Sequence, residues 1–378
     1  MVANPPSSSP VLVALSLLVL FLSPCFAHNK TYKDSLTDTG NAHFLGDLNS
    51  FADSQLSDSP YGSTYFKKPM NRLSDGRLLV DFLAETFSLP YLPPYQNHSA
   101  NFSQGVNFAI AGSTVLPKDY FVRNKVGHTL MWKAVPESLQ TQVEWYINFF
   151  EEQQQSECNR KEERSCMAEL EDVLFWIGDM GVNDYARNFG TSVSVHSLAQ
   201  RIVQNVMKLL KTLLDRGAKY IVIQGLPPTG CLPLDLFLSP ASDRDETGCA
   251  AGANLVVAAH NDLLQRKLVD LEKQYPHCAI IYADYWNAFL TILKNPAQFG
   301  FSEPFKTCCG TGAGILNFDL HSLCGSPGAS RCTDPTKHIN WDGVHPTEAM
   351  NQKLANLLFD QGFCRPSFGQ LIRYKKCT

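Results

Sequence analysis

A chain of 378 residues with 44% hydrophobic residues can bury a sizeable core, as one large α/β domain or two small ones. Its formal net charge of −4, with no long basic run, argues against nucleic acid or an anionic membrane as the main partner.

The chain opens on an unbroken run of apolar and small residues, 11–22, followed by Ser23-Pro24-Cys25-Phe26-Ala27. This reads as a signal peptide over 1–27, cut after Ala27. The run falls short of the roughly 20 residues that span a bilayer, so no transmembrane anchor is expected. The mature chain, 28–378, then reads as a single domain that leaves the cell. Its first residues carry the block Lys33-Asp34-Ser35-Leu36-Thr37-Asp38-Thr39-Gly40-Asn41, a serine among small turn-forming polar residues. A Gly/Asp/Ser-rich loop follows through Gly62.

Leu78, Leu79, Phe82 and Leu83 have helical spacing, in a segment that starts near Leu73 and ends near Pro90. The stretch 105–113 reads as a short buried strand ending in the turn at Gly112. Helices are expected over 136–155 and 164–172, and a continuous apolar strand over 173–177, which stops at Gly178. The next unit is clearer, with an amphipathic helix over 198–216, a break at Gly217 and a strand over 220–224. A helix over 254–274, a strand over 279–282 and a short helix over 286–294 repeat the pattern. Such helix–strand repeats predict a parallel sheet with helices on both faces. A Cys-, Gly- and Pro-rich loop region covers 299–339, and a last helix is expected over 346–359.

Of twelve cysteines, one lies in the leader, so the mature chain has an odd number and at least one thiol outside an internal pair. The simplest local pairings are Cys158 with Cys166, Cys231 with Cys249, and Cys324 with Cys332. Disulfides fit an oxidising compartment, whereas no CxxC pair supports a zinc site. Asn29, Asn97 and Asn101 each begin an N-x-Ser/Thr sequon and are expected glycosylation sites on the surface.

Loops at the carboxyl ends of parallel strands form the usual crevice of an open α/β sheet. Ser35, Gly112 and the segment Gly181-Val182-Asn183-Asp184 are expected at that edge, with His345 of Trp341-Asp342-Gly343-Val344-His345-Pro346 packing across it. There Ser35 would attack an acyl carbonyl, His345 would take its proton, and Asp342 would fix the imidazole tautomer. The backbone N–H groups of Ser35 and Gly112 and the side-chain amide of Asn183 would meet the oxyanion. Each residue also has a plainer reading. Ser35 could cap a helix, Asn183-Asp184 could form an Asx turn, and Asp342-Gly343 could be an ordinary turn. The remaining histidines lack ligand-like spacing. Trp145, Trp176 and Trp286 read as core or pocket wall.

Taken together, the ordered blocks 34–41, Val106-Asn107-Phe108-Ala109 with Gly112, 181–184, and 342–346 resemble the plant secreted GDSL esterase/lipase family of the SGNH hydrolase superfamily. The resemblance implies a three-layer α/β/α sandwich with a mostly parallel central sheet, and carboxylic ester hydrolysis through a covalent acyl-enzyme. It carries the catalytic roles to Ser35, Asp342, His345, Gly112 and Asn183. It implies an acyl ester of a lipid, polysaccharide or small metabolite as substrate, no metal or organic cofactor, and an apoplast or cell-wall destination. The chain departs from the family pattern where Lys33 replaces the motif glycine. It departs again where polar residues 28–32 stand in place of an apolar first strand. A weakly active or inactive binding protein on the same fold, and a serine acyltransferase, are the alternatives this leaves open.

Overall fold

The computed structural model describes residues 35–45, 60–126, 137–158, 170, 173–312 and 314–374. The leader, Asn29, Lys33, Asp34, Cys166, Cys377 and nearly all of the helix expected over 164–172 lie outside the described residues.

In chain order the elements begin with α1 (Asn41–Leu45), α2 (Leu79–Thr86), α3 (Lys118–Arg123) and α4 (Leu139–Cys158). Next come β1 (Leu174–Ile177), α5 (Val182–Asn188), α6 (Val195–Asp215), β2 (Tyr220–Gln224), α7 (Pro233–Leu238), α8 (Ala251–Gln274), β3 (Ala279–Ala283) and α9 (Tyr285–Lys294). Four short strands follow: β4 (Glu303–Thr307), β5 (Cys309–Gly310), β6 (Ser330–Arg331) and β7 (His338–Asn340). The described chain closes with α10 (Glu348–Asp360), β8 (Cys364–Arg365) and α11 (Phe368–Tyr374).

The central sheet runs β1-β2-β3-β8, parallel except where β8 joins β3 antiparallel. Its register aligns Phe175 with Ile221 and Ile221 with Ile280. Consecutive strand side chains point to opposite faces, and β1 shows where each face leads. Trp176 meets Phe359 of α10 edge-on at 5.8 Å, while Phe175 meets Tyr146 of α4 at 6.2 Å. Helices therefore cover both faces, which is why these strands are apolar throughout rather than alternating. The result is the α/β/α sandwich with a mostly parallel sheet that the sequence predicts.

The crossover helix α6 shows how local sequence supports this. Its buried residues Leu198, Ile202, Val206, Leu209, Leu210 and Leu213 recur at three- and four-residue spacing on one face. Ser194 caps it by accepting from the Ser197 N–H, and the turn at Gly217, φ +100°, ends it.

Three expectations are corrected. The stretch 105–113 is not a strand. It is deeply buried, but among the described residues its only bridge is between Asn107 and Pro94. Side chains satisfy much of its backbone instead. Asn41 donates to the carbonyls of Asn107 and Ala109, and the Ala109 N–H is taken by Asn107 Oδ1. The helix expected over 346–359 is α10 but not the last, since β8 and α11 follow it. Finally, Cys231 pairs with Cys249 as expected, but Cys324 pairs with Cys309, and Cys332 with Cys308. The β5–β6 pairing brings Cys309 opposite Arg331 and so selects partners that sequence distance does not. Cys278 and Cys364 are free thiols.

Candidate active site

The Asp–His pair is built by a short reversal of the chain. After β7 the chain turns back on itself, so that Trp341 N–H donates to the His345 carbonyl at 2.7 Å and Thr347 N–H to that of Ile339 at 3.0 Å. The reversal needs glycine at 343. Its φ is +101°, and a Cβ there would lie 2.4 Å from the Phe318 ring. Thr347 ends the turn and caps α10, accepting from the Met350 N–H.

Within that turn Asp342 Oδ1 accepts the N–H groups of Val344 (3.0 Å) and His345 (2.8 Å). Asp342 Oδ2 lies 2.7 Å from His345 Nδ1 and accepts the Tyr61 hydroxyl at 2.7 Å. Burial would raise the Asp342 carboxyl, but the His345 charge and hydrogen bonds, with that of Tyr61, outweigh it and hold the group below its ordinary value. An ionised Asp342 accepts at Nδ1 and leaves Nε2 as the basic nitrogen. Nε2 is buried and has no hydrogen-bond partner among the described residues. The turn expected at Asp342-Gly343 is therefore present, and it is what aligns the pair.

Ser35 is also buried, in the turn before α1, and caps no helix. It does not hydrogen-bond His345, whose Nε2 has no partner among the described residues. Catalytic hydrogen bonds are often long before substrate binds. Asp38 performs the capping, with Oδ1 accepting from Gly40 and Asn41 (both 2.7 Å) and Oδ2 from Ala42 (3.1 Å). The same Oδ2 accepts the Ala111 N–H at 2.8 Å, one residue before Gly112. Asn107 donates to the Thr37 carbonyl at 2.6 Å. The serine turn and the Gly112 turn are thus sewn together. Burial raises the Asp38 carboxyl to about 6 against the pull of those four N–H groups. Ala111 also packs against the small cluster of Tyr61, Leu73, Trp341 and the paired cysteines, which links this assembly to the Asp342 turn.

The third piece is α5. Gly181 caps it at φ +125°, where a Cβ would stand 2.9 Å from Ile202. Asn183 and Asp184 occupy its first turn rather than an Asx turn. The Asn183 side-chain amide makes no hydrogen bond with a described residue, whereas Asp184 is fully engaged. Its two oxygens accept the N–H groups of Val115 (2.8 Å) and Leu116 (2.9 Å). Asp184 therefore pins the chain after Gly112 to the helix that carries Asn183. Burial raises its carboxyl to about 7, opposed by these N–H groups and by Arg187. Gly112 itself has φ +82°, a conformation that glycine adopts without strain.

The sequence marks the five candidates but not the supporting roles of Tyr61, Asp38, Asn41 and Asp184, each of which has a partner tens to hundreds of residues away. Asp38 and Asn41 do stand inside the serine block, and their density of acceptors beside Gly40 was a usable signal. Tyr61 had none. Among the described residues no group of His, Cys, Asp and Glu could hold a metal ion, and no helix is long and apolar enough to cross a membrane.

The chain is similar to known proteins along most of its length. Residues 34–358 match the model of the family described as GDSL-like Lipase/Acylhydrolase. A GDSL esterase/lipase of Arabidopsis thaliana is 42% identical, over 91% of this chain and 89% of its own. Acetylajmalan esterase 2 of Rauvolfia serpentina is 36% identical (86% and 88%), and sinapine esterase of Brassica napus 34% identical (89% and 86%).

Proposed function

We propose, for a chain that belongs to the GDSL-like lipase/acylhydrolase family and is a carboxylic ester hydrolase, that Ser35 is the nucleophile of a Ser35–His345–Asp342 triad. His345 Nε2 takes the hydroxyl proton as Oγ bonds to the acyl carbon. The same proton passes to the departing alkoxide, leaving an acyl-serine and a free alcohol. Water, deprotonated by Nε2, then attacks the acyl carbon and releases the carboxylic acid and Ser35. Oxyanion donors are the backbone N–H groups of Ser35 and Gly112 and the amide of Asn183.

The observation that carries this reading is the buried bond from His345 to the Asp342 carboxylate, with Nε2 unpartnered among the described residues. His260 is also buried with Nε2 unpartnered among the described residues, but its Nδ1 meets the Tyr185 hydroxyl. Nδ1 of His345 instead meets a carboxylate held below its ordinary value, the partner that makes the other nitrogen a base. Support for Asn183 comes from an amide without a hydrogen bond among the described residues, in the first turn of a helix and beside Asp184, whose two oxygens are both bonded.

The substrate class we favour is the acyl ester of a small metabolite. Two relatives are named for action on sinapine and on acetylajmalan esters, and their similarity runs along most of both chains. We read 28–378 as one hydrolase domain, since a single large core spans Ala42 to Leu371. Export to the cell exterior follows from the signal-like leader, and three disulfides fit that compartment. Asn101 is exposed and Asn97 half-buried in one loop, which suits glycosylation of both, with Asn29 a third site.

Steady-state hydrolysis of p-nitrophenyl acetate by the purified mature protein tests the assignment. Ser35→Ala and His345→Ala should each abolish turnover, and Asn183→Ala should lower kcat by about 100- to 1000-fold. Undiminished turnover in Ser35→Ala would remove the triad.

A further inference from the structure

Tyr61 lies far from the four sequence blocks, in the loop before α2, yet its side chain ends on the triad acid. It is 2% exposed, and its ring meets Trp341 edge-on at 6.1 Å. Its hydroxyl donates at 2.7 Å to Asp342 Oδ2, the oxygen that also faces His345 Nδ1 at 2.7 Å. Asp342 Oδ1 is already occupied by the N–H groups of Val344 and His345. A carboxylate has about four lone-pair directions, and here each is used. Three donors come from the Asp342 turn itself. The fourth comes from another part of the chain.

We propose that Tyr61 is a positioning residue of the triad: its hydroxyl fixes the plane of the Asp342 carboxylate and shares the negative charge of Oδ2 with His345. This inference rests on the triad reading above. Two donors on one oxygen hold Oδ2 from two sides, so the carboxylate cannot rotate away from Nδ1 without breaking a buried bond. The shared charge also moderates the pull of Asp342 on the imidazole, because charge drawn toward Tyr61 is not available to stabilise a protonated ring. Among the described residues the ionisable group bonded to the Tyr61 hydroxyl is Asp342, with His345 on the same carboxylate oxygen. Burial and the adjacent carboxylate both hold the phenol protonated, so it stays a donor.

Three properties separate this role from simple packing. The ring of Tyr61 packs on Trp341 in the cluster that also contains the Cys308–Cys332 and Cys309–Cys324 bridges, and phenylalanine would retain that packing. The hydroxyl alone reaches the triad. Among the described residues no hydrogen bond joins it to Ser35, Gly112 or Asn183, so its loss should act on the base and not on substrate binding.

The test is Tyr61→Phe in the full mature protein, with kcat and KM for p-nitrophenyl acetate measured from acid to neutral pH beside Ser35→Ala. The variant should fold with an unchanged far-ultraviolet spectrum. Its kcat should fall about 5- to 20-fold at nearly constant KM, and the acid limb of kcat/KM should move to higher pH by about half a unit, since Oδ2 then concentrates its charge on the ring. Incorporating 3-fluorotyrosine at position 61 makes the phenol a stronger donor and should move the limb to lower pH. That second readout stands even if Tyr61→Phe fails to fold. An unmoved acid limb, or a loss confined to KM, would overturn the proposal. The triad reading fails separately, through persistent turnover in Ser35→Ala.

Discussion

Asp38 and Ala111 stand 73 residues apart in sequence, and a 2.8 Å bond from the Ala111 N–H to Asp38 Oδ2 joins the turn that holds Ser35 to the turn that holds Gly112. Asp184 makes the matching connection from the other side, through Val115 and Leu116 to the helix bearing Asn183. Two buried carboxylates therefore set the spacing of the proposed nucleophile and the proposed oxyanion donors. Small errors in that spacing are costly, on the order of 100-fold for about an ångström.

Asp38→Ala leaves the N–H groups of Gly40, Asn41, Ala42 and Ala111 without their acceptor. Each buried unpaired donor costs about 1–3 kcal/mol, and water entry would recover part of this. A loss on the order of 3 kcal/mol is expected from urea unfolding, with kcat reduced in the protein that remains folded. Full stability in this variant would show that the two turns are held by other contacts.

Asp184 gives a pH signature with a definite sign. Its folded value, about 7, lies above the ordinary carboxyl value of 3.8, so the folded protein binds more protons than the unfolded chain between those limits. This group alone therefore makes stability fall as pH rises from about 4 to about 7. In Asp184→Asn that contribution disappears, so the difference in Tm between wild type and variant should be larger at pH 4.5 than at pH 7.5. A difference independent of pH would contradict it.

The disulfides buttress the Asp342–His345 turn as well as the loop they close. Cys308 N–H donates to the Asn340 carbonyl and Cys309 N–H to that of Trp341, directly before Asp342. The Cys309–Cys324 bridge closes a separation of 15 residues, for which chain entropy gives about 3 kcal/mol. The double replacement Cys309→Ser with Cys324→Ser should lower Tm by several degrees. It should also reduce kcat at a temperature where the variant is still folded. Loss of stability with unaltered kcat would mean that the turn keeps its geometry unaided.

Gly343→Ala places a methyl group against the Phe318 ring at φ +101°. Strain and the close contact together should cost about 2–4 kcal/mol. The added substitution Phe318→Leu should return only the contact part, because the backbone strain stays. Complete recovery of Tm in the double variant would show that φ at 343 has relaxed.

How far the sequence revealed this arrangement follows from where each residue finds its partners. The expected runs 173–177, 220–224 and 279–282 fall on the strands Leu174–Ile177, Tyr220–Gln224 and Ala279–Ala283, and helices of clear periodicity join the later ones, so these strands were legible. The run 105–113 has the same apolar character but is not a strand, because Asn41, Asn107 and Asp38 take backbone groups that a ladder would have used. No local pattern carries that information. The Asp342–His345 pair was legible because both residues lie in one turn. Tyr61 was not, since its bond to Asp342 spans 281 residues. The cysteine pairing failed for a related reason. Adjacent Cys308 and Cys309 lead to opposite partners, and the β5–β6 pairing settles which.

The most direct test of the central claim is where a covalent inhibitor attaches. The purified protein should be treated with a fluorophosphonate ester, digested, and mapped by mass spectrometry beside His345→Ala. One adduct on Ser35, formed rapidly in the wild type and at least about 1000-fold more slowly without the imidazole, is the predicted result. An adduct on another residue, or none on folded and ester-cleaving protein, would contradict the assignment of Ser35.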